Sequence, residues 1–551
     1  MTNSTVTSSD AATHEASAAE KRSILLVFAG LMVTMLLASL DQTIFSTALP
    51  TIVGELDGVN HMLWVTTAYI LASTIMLPIY GKVGDLIGRK SLFIAAISIF
   101  MAGSVIGGLA QDMTWLITGR AVQGLGGGGL MILAQAIIAD VVPARQRGRY
   151  MGIMGGVFAL SSVAGPLLGG FFTEGIGWRW AFWMNLPLGA LAIASAVFFL
   201  RLPKIAYSKP KLDVAGMALL ALASTGLVLT TTWGGTTYAW DSPTIISLIV
   251  LSIVAAVAFV RVESLAAEPI MPLHLFKDRN FNLTTIAGLI IGISMFGALA
   301  YLPTYLQMVT GYNATEAGFL MIPMMAALLI TSIGSGQFVS KTGRYKFLPI
   351  VGSVIVGLSL LLLSTMTPDM HIVLVCAYLA VMGIGLGMSM QILILIVQNS
   401  FPISQVGTAT ASNNYFRQIG ASLGAAVVGA LFVSRLTDLL AADGGGASGG
   451  ENSFTPEVVR NLPAAMRDTV VNAYNDALTP VFLYLVPLMA VAAVLLLFVN
   501  EKPLATTIER DIPAEAANID GMTHRLDVKD EAIDEALSAT TPEQRPSSPQ
   551  S

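Results

Sequence analysis

Three charged side chains lie deep inside long apolar runs of this sequence: Asp41, Arg120 and Arg417. An ionised group at the centre of a bilayer costs roughly 2.5 kcal/mol or more, so each needs a polar cavity or a partner. Asp41 lies nine residues before Pro50, and Arg120 six after Thr114. At about 1.5 Å per helical residue, both fall roughly 9–14 Å in from the same membrane surface. A neighbouring guanidinium favours the charged carboxylate, whereas burial favours the neutral acid. Such a pair can take up a proton when the arginine turns away and release it when the arginine returns. That is the chemistry of a proton-coupling site, with Asp41 as carrier and Arg120 as modulator. A permanent ion pair fixing two helices is the alternative. Arg417 reads in three ways: gating, a structural bond to helix carbonyls, or contact with an anionic substrate.

The runs that carry these residues define the architecture. Of 551 residues, 54% are hydrophobic and 11% charged, less than half the about 25% charge of a soluble globular chain. That balance excludes a soluble enzyme, a nucleic-acid binder and a disordered protein. The single cysteine, Cys376, excludes a disulfide scaffold. Fourteen runs can each supply a helix of about 20 apolar residues. They fall at 23–50, 62–81, 91–110, 114–139, 149–173, 179–200, 213–233, 243–260, 280–309, 314–340, 347–366, 371–397, 407–433 and 479–500. Long runs without alternation suit helices, and an open sheet edge cannot sit in lipid. The first run is too long for a signal-peptide core and reads as a retained helix. The expected fold is an all-α polytopic membrane protein.

Lysine and arginine placement orients it. The loops after spans 2, 4, 6, 8 and 10 hold sixteen bases, whereas the opposite face holds Arg179, Arg435, Arg460 and Arg467. The positive-inside rule puts the base-rich face and both termini in the cytoplasm. The net charge of −5 originates in the tail 504–551, with four bases and ten acids, and does not describe the core. That tail and residues 1–22 have the composition of disordered cytoplasmic ends. Residues 434–478 form a long external loop: a Gly-rich stretch, then short helices from Thr455-Pro456-Glu457, acting as a passive connector or a lid.

An internal repeat divides the chain. GKVGDLIGRK (81–90) aligns without gaps on GQFVSKTGRY (336–345) at an offset of 255, with Ser340 in place of Asp85. Gly165 and Gly169 recur at the same offset as Gly420 and Gly424. This shift predicts six-helix bundles over 23–202 and 280–503, with two inserted helices and linkers over 203–279. Parallel six-helix repeats are a transporter plan with the substrate site between the halves.

Together with LDQTIFSTALP (40–50), LITGRAVQGLG (116–126), AGPLLGG (164–170), WRWAFWMNLPLG (178–189), YLPTYLQMVTGYNATEAG (301–318) and FRQIGASLG (416–424), these segments resemble the major facilitator superfamily. The resemblance is to its fourteen-helix drug:proton antiporter branch, the EmrB/QacA group, and runs through roughly residues 23–500. It implies two six-helix bundles plus two inserted central helices, and a transporter rather than an enzyme. It implies proton-coupled export of small lipophilic or cationic organic compounds by alternating access, or dedicated export of one metabolite such as an antibiotic or siderophore. It makes Gly81, Asp85, Gly88 and Arg89 a conformational latch. Gly165, Pro166, Gly169 and Gly170 become the antiporter signature, with Ser161 where glycine is usual.

Substrate-cavity candidates are polar residues within spans: Gln42, Tyr69, Gln123, Tyr301, Gln391 and Asn414, with Arg417. Twenty-six methionines suit an adaptable apolar cavity. No cofactor or metal is expected. Gly124, Gly126 and Gly129 match a dinucleotide fingerprint but lie inside an apolar helix, and no G-x-x-x-x-G-K-[ST] occurs. Five scattered histidines form no metal-ligand spacing. The expected partners are a small-molecule cargo, protons and the lipid of the plasma membrane, with no nucleic acid, and a monomer suffices.

Overall fold

The computed structural model describes residues 6–56, 58, 61–202, 211–442 and 456–506. Among them, thirteen helices are long and apolar enough to cross a membrane, and Phe347–Leu363 is a shorter fourteenth. In chain order they are α1 Val6–Glu55, α2 Met62–Ile87, α3 Arg89–Gly108, α4 Met113–Val141 and α5 Ala144–Phe171. Next come α6 Trp180–Phe198, α7 Val214–Trp233, α8 Pro243–Glu263 and α9 Arg279–Leu299. The last are α10 Ile322–Thr342, α11 Phe347–Leu363, α12 Ile372–Gln398, α13 Val406–Ala442 and α14 Ala464–Leu497.

Local chemistry sets many boundaries. Asp112, Asp213, Ser242 and Asp278 cap α4, α7, α8 and α9 by accepting from the backbone N–H three residues on. Gly88 ends α2 at φ 93° and Gly343 ends α10 at φ 77°. Both repeat-related positions have positive φ, which glycine adopts without the penalty a Cβ imposes.

Two boundaries depart from the sequence reading. Helix α1 begins at Val6, taking in most of the segment 1–22 whose composition suggests disorder. The Ala- and Glu-rich run DAATHEASAAEKR contains good helix formers, and extending an existing membrane helix carries no nucleation cost. Helices α13 and α14 also run beyond the expected spans, to Ala442 and back to Ala464, so much of 434–478 is helical extension, with Pro456–Arg460 a further short helix. The Gly-rich stretch 443–450 and the tail from 507 lie outside the described residues.

Packing follows the repeat. In the first half α1 lies on α4, α5 and α6, with α3 and α2 on α4; in the second, α9 lies on α13 and α14, with α10 and α11 on α12. Between halves, α5 packs on α10 and α12, and their counterparts α13 on α2 and α4. Helix α7 bridges α2 and α13, while α8 lies outside it with Ile253, Val254 and Val257 exposed, as a lipid-facing helix should be. A strap at 500–505 ties the base-rich face. Asn500 exchanges two 2.8 Å hydrogen bonds with Asn280, and the Ala505 carbonyl accepts from the Arg145 N–H at 3.0 Å.

Glycines let helices approach where side chains would not fit. A Cβ on Gly126 would lie 2.5 Å from the Phe100 nitrogen, and one on Gly119 2.6 Å from that of Gly107. Gly126→Val should destabilise the protein by about 1–3 kcal/mol through overpacking, read as a lowered melting temperature in detergent. Gly318→Ala, at a position with nothing within 4 Å of a Cβ, should leave it unchanged.

Candidate functional site

The depth estimate for Asp41 and Arg120 places them side by side, and the structure does so. The Arg120 guanidinium donates to Asp41 Oδ2 at 2.5 Å, and their side chains are 2% and 0% exposed. The other oxygen, Oδ1, accepts from Gln123 Nε2 at 2.9 Å and Asn185 Nδ2 at 3.1 Å. Both amides also donate to Ser104 Oγ, at 2.8 and 3.1 Å. Arg120 further donates to Gln123 Oε1 at 2.8 Å and to the Val65 carbonyl at 3.3 Å, and lies between the Phe45 and Tyr69 rings. The carboxylate thus faces three donors and the guanidinium three acceptors and two π faces, an environment that suits an ionised pair. Five helices contribute: α1, α2, α3, α4 and α6.

Tyr69 and Gln123 therefore belong to this sealed cluster rather than to a cavity. Asn185 and Ser104 are functional partners that the sequence reading missed. Both are polar residues inside apolar spans, the signal that singled out Gln123, but neither carries charge to draw notice. At the far end of α1, Glu55 accepts from Arg179 at 2.6 Å and from Trp178 Nε1 at 2.8 Å, clamping α1 to the start of α6. The Arg179 hydrogen bond holds the Glu55 carboxyl below its ordinary pKa.

Helix α5 connects this cluster to the other half. Its C-terminal glycines face α1: Gly165 meets Thr43, and Gly169 meets Thr47 and the Ile44 carbonyl. Thr43 and Thr47 donate to the Ser161 and Pro166 carbonyls at 3.0 and 3.3 Å. Nothing lies within 4 Å of a Cβ on Gly170, so that member of the expected signature makes no close contact. The N-terminal glycines face α10: Gly152 abuts the Ser332 carbonyl, and Gly156 the Leu329 side chain.

On the base-rich face, Asp85 receives three bonds from the start of α13: Gly407 N at 3.2 Å, Thr408 N at 2.7 Å and Thr408 Oγ1 at 2.7 Å. An acid at a helix N-terminus satisfies orphan N–H groups and meets the positive end of the dipole. Arg89 bridges Asp85 at 2.7 Å and Asp140 at 2.5 Å, and donates across to the Ile403 carbonyl at 2.9 Å. The second copy does likewise: Ser340 Oγ accepts from Arg149 N at 3.1 Å, and Arg145 donates to the Ser340 carbonyl at 3.3 Å. Gly81 abuts Gly407, and their repeat partners Gly336 and Gly152 abut in turn.

Between the halves lies a cavity of about 750 Å³. Its walls include Met35, Met131, Met295, Met390, Phe158 and Phe296, and the polar candidates Gln42, Tyr301, Gln391, Asn414 and Arg417 all line it. It extends towards the α7–α8 hairpin, with Gly235 and Trp240, and to Ser434 near the outer end of α13. Towards the base-rich face it is floored by polar residues from both halves. Asn414 Nδ2 donates to Gln135 Oε1 at 3.2 Å, and Gln398 Nε2 to the Gln135 carbonyl at 3.3 Å. Gln135 and Gln398, both 1% exposed, are further residues that sequence reasoning missed. Among the described lining residues Arg417 is the one with a charge.

Comparison with known proteins agrees with this geometry. The family model described as the Major Facilitator Superfamily matches residues 31–425. The chain belongs to the Major Facilitator Superfamily. An uncharacterised MFS-type transporter of Mycobacterium tuberculosis is 42% identical over 483 residues, covering 87% of this chain and 70% of its own. The multidrug transporter protein MdtP of Bacillus subtilis is 37% identical over 521 residues, covering 89% of this chain and 95% of its own. A crystal structure of the human organic anion transporter MFSD10 superposes with a TM-score of 0.55 at 15% identity, covering 87% and 99% of the two chains, a likeness of fold alone. This facilitator is thus a multi-pass membrane transporter of small molecules, and its fourteen helices and multidrug-transporter relatives agree with the drug:proton antiporter branch.

The cluster predicts a thermodynamic coupling. Asp41→Asn and Arg120→Gln should each lower the melting temperature in detergent, and the double variant should lose less than the sum. The expected interaction energy is about 1–3 kcal/mol; strict additivity would mean that the two groups do not stabilise each other.

Proposed function

We propose that this facilitator is a proton-coupled antiporter of the cell membrane that exports small lipophilic organic compounds by alternating access, with both termini cytoplasmic. The observation that carries the proposal is the sealed Asp41–Arg120 pair one residue from Gln42, which lines the cavity. The cavity extends away from the base-rich face, and Asp85 and Arg89 make contacts across that face, which supports an outward-facing reading. A proton arriving at Asp41 neutralises the carboxylate and leaves Arg120 to the Val65 carbonyl, Gln123 and its two rings. The loss loosens α1 from α4. Because α1 is keyed to α5 by Thr43 and Thr47, and α5 to α10 by Gly152 and Gly156, the change reaches the contact between halves.

The methionine- and phenylalanine-rich wall supports cargo breadth, since flexible thioethers repack around different shapes. The cationic part of the expected cargo range finds no carboxylate among the described lining residues. The latch reading rests on Asp85 capping α13: opening the base-rich face must break three hydrogen bonds to one carboxylate.

In proteoliposomes, Asp41→Asn should abolish transport driven by a pH gradient while the purified protein still binds cargo. Gradient-driven flux that survives this substitution removes Asp41 from proton coupling. Asp85→Asn should weaken a charge-assisted cap and shift the equilibrium about tenfold towards opening of the base-rich face. Pulsed spin-label distances across that face should lengthen, and an unchanged distribution would assign closure elsewhere.

A further inference from the structure

Among the described residues that line the cavity one carries a charge, and it is positive. Arg417 lies within α13, and among the described residues its hydrogen bond goes to Asn414 Oδ1, one turn earlier. No ion pair to it occurs among them. Asn414 is itself held, by Gln135 Oε1 at 3.2 Å and the Thr410 carbonyl at 2.9 Å, so its oxygen is preset towards the guanidinium. Arg120 shows what a well-partnered buried arginine looks like in this protein: a carboxylate, an amide oxygen, a backbone carbonyl and two ring faces. Arg417 has five N–H donors available by chemistry and spends one described bond within the chain.

We propose that the cavity selects lipophilic organic monoanions, compounds with an apolar body and one ionised carboxylate or comparable oxyanion, and that Arg417 is the residue that docks the anion. The assignment rests on the export reading above and names its substrate class. An uncompensated cation in a low-dielectric site is costly, and a ligand oxyanion offsets that cost with charge-assisted, potentially bidentate bonds. A cationic ligand has the opposite balance: it adds repulsion, and Asp41, 0% exposed behind the wall, cannot receive it. Gln391 supplies a second, independent pointer to a ligand. It lines the same cavity, is 7% exposed, and its Oε1 has no hydrogen-bond partner among the described residues. A buried acceptor left open costs free energy unless a donor fills it, so it suits an O–H or N–H on the cargo. The Met and Phe walls take the apolar body.

Three probes with one apolar body separate the headgroups: pyrenebutyrate, pyrenebutanol and pyrenebutyltrimethylammonium. Their binding to the purified full-length protein in detergent is read by pyrene fluorescence at neutral pH, where the carboxylate is ionised. Pyrenebutyrate should bind about tenfold or more tighter than the ammonium probe, with the alcohol between them. Arg417→Gln should erase the differences among the headgroups, and Arg417→Lys should restore part of the preference. Equal affinity of the wild-type protein for carboxylate and ammonium would overturn the proposal without any variant having to fold. So would an Arg417→Gln protein that weakens all three probes by the same factor. Proteoliposome flux separates this from the antiport reading. A carboxylate preference in binding without gradient-driven uptake would sink antiport and keep the anion site; gradient-driven uptake of all three probes at equal rates would do the reverse.

Discussion

A carboxylate and a guanidinium 2.5 Å apart, with almost no surface exposed, constrain the whole first bundle. Either group alone in such a place would carry most of its desolvation cost, and the pair is tolerable because each charge meets its opposite and further hydrogen-bond partners. Matching them requires Gln123 one turn along α4, Ser104 on α3, Asn185 on α6 and the Val65 carbonyl on α2 to arrive together. The ion pair is therefore weak evidence for stability and strong evidence for register. It specifies how five helices meet. It also leaves one element, the charge on Asp41, whose removal would unbalance all of them at once.

The contact between halves is built differently. Gly81 on Gly407 and Gly152 on Gly336 bring backbones together with little side-chain interlock. Surfaces of this kind can part and re-form without repacking a core, as rigid-body rocking demands. The repeat makes the two contacts geometrically alike but chemically unequal. Asp85 brings a charge and three hydrogen bonds to the start of α13, where Ser340 brings a hydroxyl to α5. The charged hydrogen bonding across the base-rich face is thus concentrated on the first copy.

The inserted pair adds a wall rather than a third bundle. Helix α7 spans α2 and α13, with Ser224 bonded to Tyr415 at 2.9 Å, and the Trp233 ring meets Trp64 of α2 edge-on. The hairpin after α7 places Gly235 and Trp240 at the cavity. Lys82, three residues before Asp85, pairs with Glu268 at 2.7 Å in the segment after α8, so the insertion reaches from the cavity to the base-rich face.

Much of this was legible in the chain alone, because lipid imposes rules that act on single segments. Apolar length gave fourteen spans, and a fixed rise per residue gave Asp41 and Arg120 a common depth. Self-alignment located the two loops whose glycines turn at positive φ. What the sequence could not decide was facing. Gln42 and Gln123 are equally polar and equally deep, yet one lines the cavity and the other is sealed behind it; Tyr69 and Tyr301 divide the same way. Asn185, Gln135 and Gln398 became partners only when helices distant in sequence packed together. A polar side chain in an apolar helix announces that it needs a partner, but which partner depends on the rotation of that helix against its neighbours. That rotation is set by the summed packing of small residues over the whole bundle, which no local pattern encodes.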